Sequence, residues 1–240
     1  MNNPENVENG VRTALSEAWR KHYAAAHGRM AVEGCARSMD YSNERCELQI
    51  YAHLLEAVGP LSGKKLLDAG CGWGITSLIF RACGAAVTGV DIVPETIASL
   101  RSRHPDVSWD VADLNDSDDV TRLPLFDTVV AAEVLEYLEF RAGTERLWTR
   151  VAPGGRLVGC IPNAECPIVK RVVERDGPTY APGSVADLTL WGRRLPGAID
   201  LKVKGLGFQQ DQSFLPFAQG DWGAEVPGTP NRILFVILRG

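Results

Sequence analysis

The sequence predicts an α/β fold built as a doubly wound parallel sheet with helices on both faces. Three observations carry this. From Lys64 onward, short apolar runs alternate with amphipathic stretches in a β-α-β-α series. The run Phe126–Ala132 is almost wholly apolar, as a strand buried on both faces must be. A glycine-rich turn, Gly70-Cys71-Gly72-Trp73-Gly74, follows directly on the first apolar run, at the strand-to-helix junction where such folds receive ligands.

The elements follow in order. Residues 1–10 are polar and read as a disordered tail. Val11, Leu15, Ala18, Trp19, Tyr23 and Ala26 recur at helical spacing and predict a helix over 11–27. A second helix is expected over Asn43–Val58, stopped by Gly59-Pro60. The region 11–60 is thus a pair of N-terminal helices, expected to form part of a lid. The main domain is expected over 61–240. Strands are predicted at Lys65–Ala69, Ala86–Asp91, Ser108–Ala112, Phe126–Ala132 and Arg156–Ile161. Helices are predicted at Trp73–Cys83, at Pro94–Arg103 with proline in its first turn, and at Thr144–Val151. Pro153-Gly154-Gly155 reads as a turn. Residues 163–200 are rich in Pro, Gly and Arg and read as an inserted cap region with a helix near Ala164–Glu174. A weak helix ending at Gly205, strands at Phe208–Phe214 and Arg232–Leu238, and a long loop from Leu215 to Asn231 complete the chain.

Composition narrows the function. The chain has 240 residues, 45% hydrophobic and 23% charged, enough for a sizeable core without staples. A net charge of −5 argues against nucleic acid as partner. The six cysteines (Cys35, Cys46, Cys71, Cys83, Cys160, Cys166) form no C-x-x-C pair and read as free thiols. No apolar stretch approaches the roughly 20 residues that span a bilayer, and residues 1–10 lack the apolar core of a signal peptide. The expectation is a cytoplasmic protein, monomer or homodimer, with no membrane or nucleic-acid partner.

The chemistry-bearing residues gather at strand ends. Asp68 closes the first strand, two residues before Gly70, and the glycines at 70, 72 and 74 permit positive φ and close approach of a ligand. The spacing G-x-G-x-G differs from the G-x-G-x-x-G that cradles a pyrophosphate, so a ligand without phosphate is expected. Asp91 ends the second strand, where a carboxylate can accept ribose hydroxyls. Asp113 follows the third strand, within an acidic run that continues through Asp116, Asp118 and Asp119. Three strands thus each bring an acid to one sheet edge.

These stretches resemble the class I S-adenosylmethionine-dependent methyltransferases, closest to the small-molecule group that includes the ubiquinone-biosynthesis O-methyltransferases. The similarity covers about 64–163: Gly63-Lys64-Lys65-Leu66-Leu67-Asp68-Ala69-Gly70-Cys71-Gly72, Val87-Thr88-Gly89-Val90-Asp91, Phe126 through Glu136, and Pro153-Gly154-Gly155-Arg156-Leu157. The resemblance implies a Rossmann-like seven-stranded sheet with an antiparallel last strand, and S-adenosyl-L-methionine as cofactor. It implies that Asp68, Gly70, Cys71, Gly72 and Gly74 line the methionine part. Asp91 with Ile92 would hold the ribose, Asp113 with Leu114 the adenine, and Glu133 with Val134 would close the site. Tyr41 and Arg45 are the candidates to reach the cofactor carboxylate from the N-terminal helices. The family often reads E-x-x-E-H where this chain has Glu133-Val134-Leu135-Glu136-Tyr137. With the histidine missing, metal assistance is not expected.

Methyl transfer is an in-line displacement, so positioning is the main contribution, on the order of 7–11 kcal/mol. A base is needed only for an acceptor that starts protonated. Glu136, Tyr137 and His27 are the candidates, with His22 behind them. Trp191, Tyr180, Phe214, Phe217 and Trp222 are candidate walls of an apolar acceptor pocket, and Lys170, Arg171, Arg175, Arg193 and Arg194 candidate contacts for an acidic acceptor. The expected activity is transfer of a methyl group to oxygen or nitrogen of a small molecule of secondary metabolism. The alternatives are a non-catalytic cofactor-binding partner protein, a protein or nucleic-acid methyltransferase, and a nicotinamide oxidoreductase, the last disfavoured by the glycine spacing.

Overall fold

The computed structural model describes residues 44–138, 140–176, 181–206 and 230–240, together with 17, 20, 21 and 24. The sheet has seven strands: β1 Lys65–Ala69, β2 Ala86–Asp91, β3 Ser108–Val111, β4 Phe126–Ala132, β5 Val151–Pro162, β6 Ala198–Leu206 and β7 Arg232–Arg239. Their order is β3-β2-β1-β4-β5-β7-β6. Strands β1 to β5 pair in parallel, and β7 runs antiparallel to both β5 and β6. The order reverses between β1 and β4, which opens a crevice at their carboxyl ends. Seven helices are described: α1 Glu44–Val58, α2 Ile75–Ala82, α3 Pro94–Arg103, α4 Ser117–Thr121, α5 Phe140–Trp148, α6 Pro167–Asp176 and α7 Val185–Gly192, with a 3-10 turn at Leu135–Tyr137.

Adjacent strand residues point to opposite faces, and the sequence fills both with apolar side chains. Leu66, Val87, Val130, Val158, Leu234 and Val236 meet α1, α2 and α3 through Leu54, Phe80, Ile97 and Leu100. Their neighbours Leu67, Val129, Leu157, Phe235 and Ile237 form the second core layer, under α5 and α7 through Leu147, Trp148, Leu188 and Trp191. The doubly wound expectation therefore holds. Among the described residues, no helix is long and apolar enough to cross a membrane.

Several boundaries differ from expectation. The sixth strand is Ala198–Leu206, in the stretch read as a weak helix. Its Leu201 is buried while Asp200 and Lys202 on the other face are exposed, so the period is two. Pro153-Gly154-Gly155 lies within β5 as a bulge: Phe126 pairs with Val151, but Thr128 pairs with Arg156. Helix α5 begins at Phe140, a turn before the expected Thr144. The acidic run after β3, for which no element was predicted, holds α4, whose first turn is capped by Asp116 accepting from the Asp118 N–H at 2.8 Å. The expected helix 11–27 apart from four positions, the strand Phe208–Phe214 and the loop through residue 229 lie outside the described residues.

Candidate functional site

The glycine turn after β1 is built from left-handed backbone at alternate residues: Gly70, Gly72 and Gly74 have φ of 72°, 47° and 77°. Space distinguishes the three. A Cβ on Gly70 would fall 2.5 Å from a Val134 methyl, and one on Gly74 2.7 Å from Leu100 and 2.8 Å from Trp109. A Cβ on Gly72 would meet nothing within 4 Å. Gly70 and Gly74 are therefore packed, whereas Gly72 faces open space in the crevice. The N–H groups of Gly70 and Cys71 both donate to the Val90 carbonyl at 2.9 Å, which pins the turn to the end of β2. Cys71 is buried, and burial pushes its thiol pKa well up, so it offers backbone rather than sulfur.

Asp91 organises this corner. Its Oδ2 accepts the Gly72 N–H and its Oδ1 the Val93 N–H, each at 3.0 Å. Each carboxylate oxygen has a second lone pair, so the group keeps capacity for ligand hydroxyls. Burial raises its pKa, opposed by those backbone donors. Ile92, beside it, is half-buried. Asp68 is different: it is 1% exposed, and its Oδ2 accepts from Thr76 Oγ1 at 2.7 Å and Ser77 Oγ at 2.6 Å. It ties the first turn of α2 to β1 and so sets where the glycines sit, from beneath. Desolvation raises its pKa despite both hydroxyls.

The loop after β3 is a tied structure. The Asp113 N–H donates to Asp119 Oδ2 at 2.7 Å, and Asp113 Oδ1 accepts from the Asn115 N–H at 2.8 Å. Leu114 sends its side chain into the core, 4% exposed. Its carbonyl accepts from Arg146 Nε at 2.9 Å, and Arg146 Nη2 reaches Asn115 Oδ1 at 3.2 Å and the Leu138 carbonyl at 3.1 Å. Arg146 thereby holds the loop after β3 to the turn after β4. Sequence reading missed it; an arginine two turns into an amphipathic helix carries no local mark of such a role.

At the end of β4 the backbone is strained. Glu133 has φ 53°, and among the described residues no other non-glycine has positive φ. Such residues concentrate where surrounding structure enforces them, often at functional sites. The Glu133 N–H donates to the Cys160 carbonyl at 2.7 Å, and its carboxylate takes Arg232 Nε at 2.8 and 2.9 Å. Arg232 opens β7, so the antiparallel strand delivers a cation to the carboxyl edge of β4. Val134 packs over Gly70. Glu136 is 2% exposed, and its Oε2 has no hydrogen-bond partner among the described residues. Desolvation, then the neighbouring Glu133 charge, push its pKa well above the usual carboxylate value. Tyr137 is half-buried, and its N–H donates to the Val134 carbonyl.

The crevice thus brings together Gly70, Gly72, Gly74, Asp91, Asp113, Glu133 and Val134, with Asp68 and Glu136 buried beneath. Tyr41, His22, His27, Tyr180, Phe214, Phe217 and Trp222 lie outside the described residues, as does the Arg45 side chain, although its backbone belongs to α1. Trp191 lies on α7, where it is 8% exposed and its ring meets Phe140 edge-on in the core layer beneath that helix.

Comparison with known proteins identifies the family and the fold. The family described as Methyltransferase domain matches residues 43–199. The ubiquinone biosynthesis O-methyltransferase of Pseudomonas savastanoi pv. phaseolicola is 37% identical over 106 residues, 42% of this chain and 45% of that protein. The mitochondrial enzyme of the same description from Schizosaccharomyces pombe is 40% identical over 102 residues, 40% of this chain and 37% of that protein. The match spans less than half the length of these relatives. In structure, the N-methyltransferase NodS from Bradyrhizobium japonicum WM9, in complex with S-adenosyl-L-homocysteine, aligns with a TM-score of 0.60 at 20% identity, over 91% of this chain and 98% of that one. A SAM-dependent methyltransferase from Archaeoglobus fulgidus aligns at 0.60 and 16% identity, over 80% and 94%. At these identities the structural likeness concerns the fold.

Proposed function

Because the chain belongs to the methyltransferase domain family, we propose that it moves a methyl group from S-adenosylmethionine to an oxygen or nitrogen of a small-molecule acceptor. The observation that carries this is the open space at Gly72 beside a carboxylate with spare lone pairs at Asp91. A phosphate-free nucleoside with a flexible tail suits that pairing: a small cradle for the tail and an acid for the ribose.

The cofactor supplies the methyl group as an activated sulfonium, whose positive charge disappears as the methyl leaves. Gly70, Cys71, Gly72 and Gly74 line the methionine part with backbone. Asp91 accepts the ribose hydroxyls, with Ile92 against the sugar. Asp113 and the backbone at Leu114 meet the adenine. Glu133 and Val134 close the far side, and Arg232 keeps the Glu133 carboxylate oriented. Tyr41 and Arg45 are assigned to the carboxylate end. An acceptor that arrives as a hydroxyl or ammonium must lose its proton as the new bond to carbon forms. Glu136, Tyr137 and His27 are the groups considered for it; we assign the proton to Glu136, whose buried Oε2 has no hydrogen-bond partner among the described residues and so has an acceptor position to spare. The named activity of the curated relatives favours oxygen as the acceptor atom.

The test is transfer of labelled methyl from S-adenosylmethionine to a panel of phenols, catechols and amines. Label should pass to at least one class, with a KM for the cofactor on the order of micromolar. No transfer to any member, together with no cofactor binding, sinks the proposal.

A further inference from the structure

The face of the sheet opposite α1, α2 and α3 carries a groove that the proposed activity does not use. It lies between α5 and α7, has a volume of about 860 Å³, and runs from Ala181 at the crevice end to Arg239 at the far edge. We propose that this groove is a second small-molecule site, separate from the glycine-loop site, for an amphipathic carboxylate.

The floor is aromatic and fixed. Phe140 and Trp191 stack edge-on at 5.3 Å between centroids, and Phe140 meets Phe235 at 6.2 Å. Trp148 is held by its indole N–H donating to the Pro196 carbonyl at 2.9 Å, with the Arg239 guanidinium 5.6 Å over its ring. Gly183 lets the chain cross the crevice end of the groove close to this floor. A Cβ there would fall 2.3 Å from the Phe140 ring and 2.8 Å from Ile161. The groove is therefore preformed, and its size is that of sites for drug-sized ligands.

The lip is apolar and cationic. Leu190 stands 63% exposed on α7, although its neighbours Leu188 and Trp191 already supply the core contacts of that helix. Both lining carboxylates are engaged. Glu145 pairs with Arg141 at 2.9 Å, and Asp187 accepts the Ser184 hydroxyl at 2.6 Å. Arg239 donates to the Trp148 and Val151 carbonyls. That leaves Arg194, exposed at the lip and with no ion-pair or hydrogen-bond partner for its guanidinium among the described residues. A ligand with an apolar body for the rings and Leu190, and a carboxylate for Arg194, answers every open feature. A guanidinium holds a carboxylate through two parallel N–H donors.

Decanoate, below its micelle concentration, is the probe, added to the full chain and followed by tryptophan fluorescence and calorimetry. Decyltrimethylammonium serves as the cationic counterpart. Saturable one-to-one binding of decanoate is expected, weaker for the cation and unchanged by saturating S-adenosylhomocysteine. Arg194→Glu and Leu190→Glu are exposed changes that should keep the melting temperature. Arg194→Glu should weaken binding about tenfold, the scale of one lost charge-assisted hydrogen bond. In the unaltered protein, decanoate should shift the indole N–H resonances of Trp148 and Trp191. Absence of saturable binding overturns the proposal. So does equal affinity for the cation, an Arg194→Glu variant that binds as well, unmoved indole resonances, or competition by S-adenosylhomocysteine. The proposal stands or falls independently of methyl transfer.

Discussion

At the scale of single residues, two glycines separate backbone strain from ligand approach. Gly63 and Gly72 both have positive φ, 72° and 47°, and a Cβ on either would meet nothing within 4 Å. Alanine at either position carries left-handed strain of roughly 1–2 kcal/mol. Only Gly72 borders Asp91. Gly72→Ala should therefore weaken S-adenosylhomocysteine binding while Gly63→Ala, equally destabilised in thermal melts, should bind normally; equal affinities would place the ligand elsewhere. Glu136 gives a second residue-scale test. Its folded pKa is raised, so the folded chain keeps a proton that the unfolded chain releases above the usual carboxylate value. Fewer protons bound in the unfolded state means that stability falls as pH rises through that window. Glu136→Gln should flatten this fall in denaturant titrations, without abolishing it, since Asp68 and Asp91 shift in the same direction. It should also cut turnover, on the order of 10² or more for a lost base. An unchanged slope would mean that Glu136 ionises normally. Some of this scale was legible: Asp91, Gly72 and Asp113 end or follow apolar runs, and those runs are the strands β2, β1 and β3. Asp68 did too, but the same position hides the Thr76 and Ser77 hydroxyls one helical turn on, which take up its carboxylate.

At the scale of elements, the two sheet edges are handled by charge. On β3 the outward carbonyls of Trp109 and Val111 accept from Arg101 and Arg122, and the Val111 N–H donates to Asp110. On β6, Lys204 turns inward to Glu56 at 3.1 Å and His53 at 3.3 Å, and a register shift interrupts pairing after Ala198. Inward charge and irregular pairing discourage added strands. The same lysines made β6 hard to read: Lys202 and Lys204 are good helix formers, and only the alternation with Leu201 and Val203 marks a strand. Helix α4 was hidden for a related reason, because a run of aspartates reads as solvated loop until one of them caps a helix. Asp116→Ala should lower stability by about 1 kcal/mol, the usual worth of such a cap, in chemical denaturation. A loss near zero would mean that α4 contributes little to the folded state. The β4–β7 junction should be stiffer. Arg232 and Glu133 are 12% and 18% exposed, and Arg232→Met leaves a largely buried carboxylate unanswered. The expected loss is about 3 kcal/mol, and a variant as stable as the parent would contradict the pairing.

At the scale of the whole molecule, the parallel pairing of β1, β2, β3 and β4 sets their carboxyl ends along one edge, and this brings Asp91, Asp113 and Glu133 from separate parts of the chain to that edge. The β-α-β-α rhythm, the apolar runs and the glycine turn made that much readable in advance. Contacts across long separations were not. Arg232 reaches Glu133 over 99 residues, and Arg146 reaches Leu114 over 32; no local spacing encodes either. The acceptor side was the least readable, because apolar residues that could wall a pocket, such as Trp191, also serve the core. The proposed function rests on the glycine turn and Asp91 together binding the methyl donor. Calorimetric titration of the full chain with S-adenosylhomocysteine, beside its Asp91→Asn variant, tests it most directly. One-to-one binding on the order of micromolar is expected, weakened at least about tenfold in the variant, which loses a charged acceptor. No binding by the unaltered chain, or undiminished binding by the variant, would contradict it.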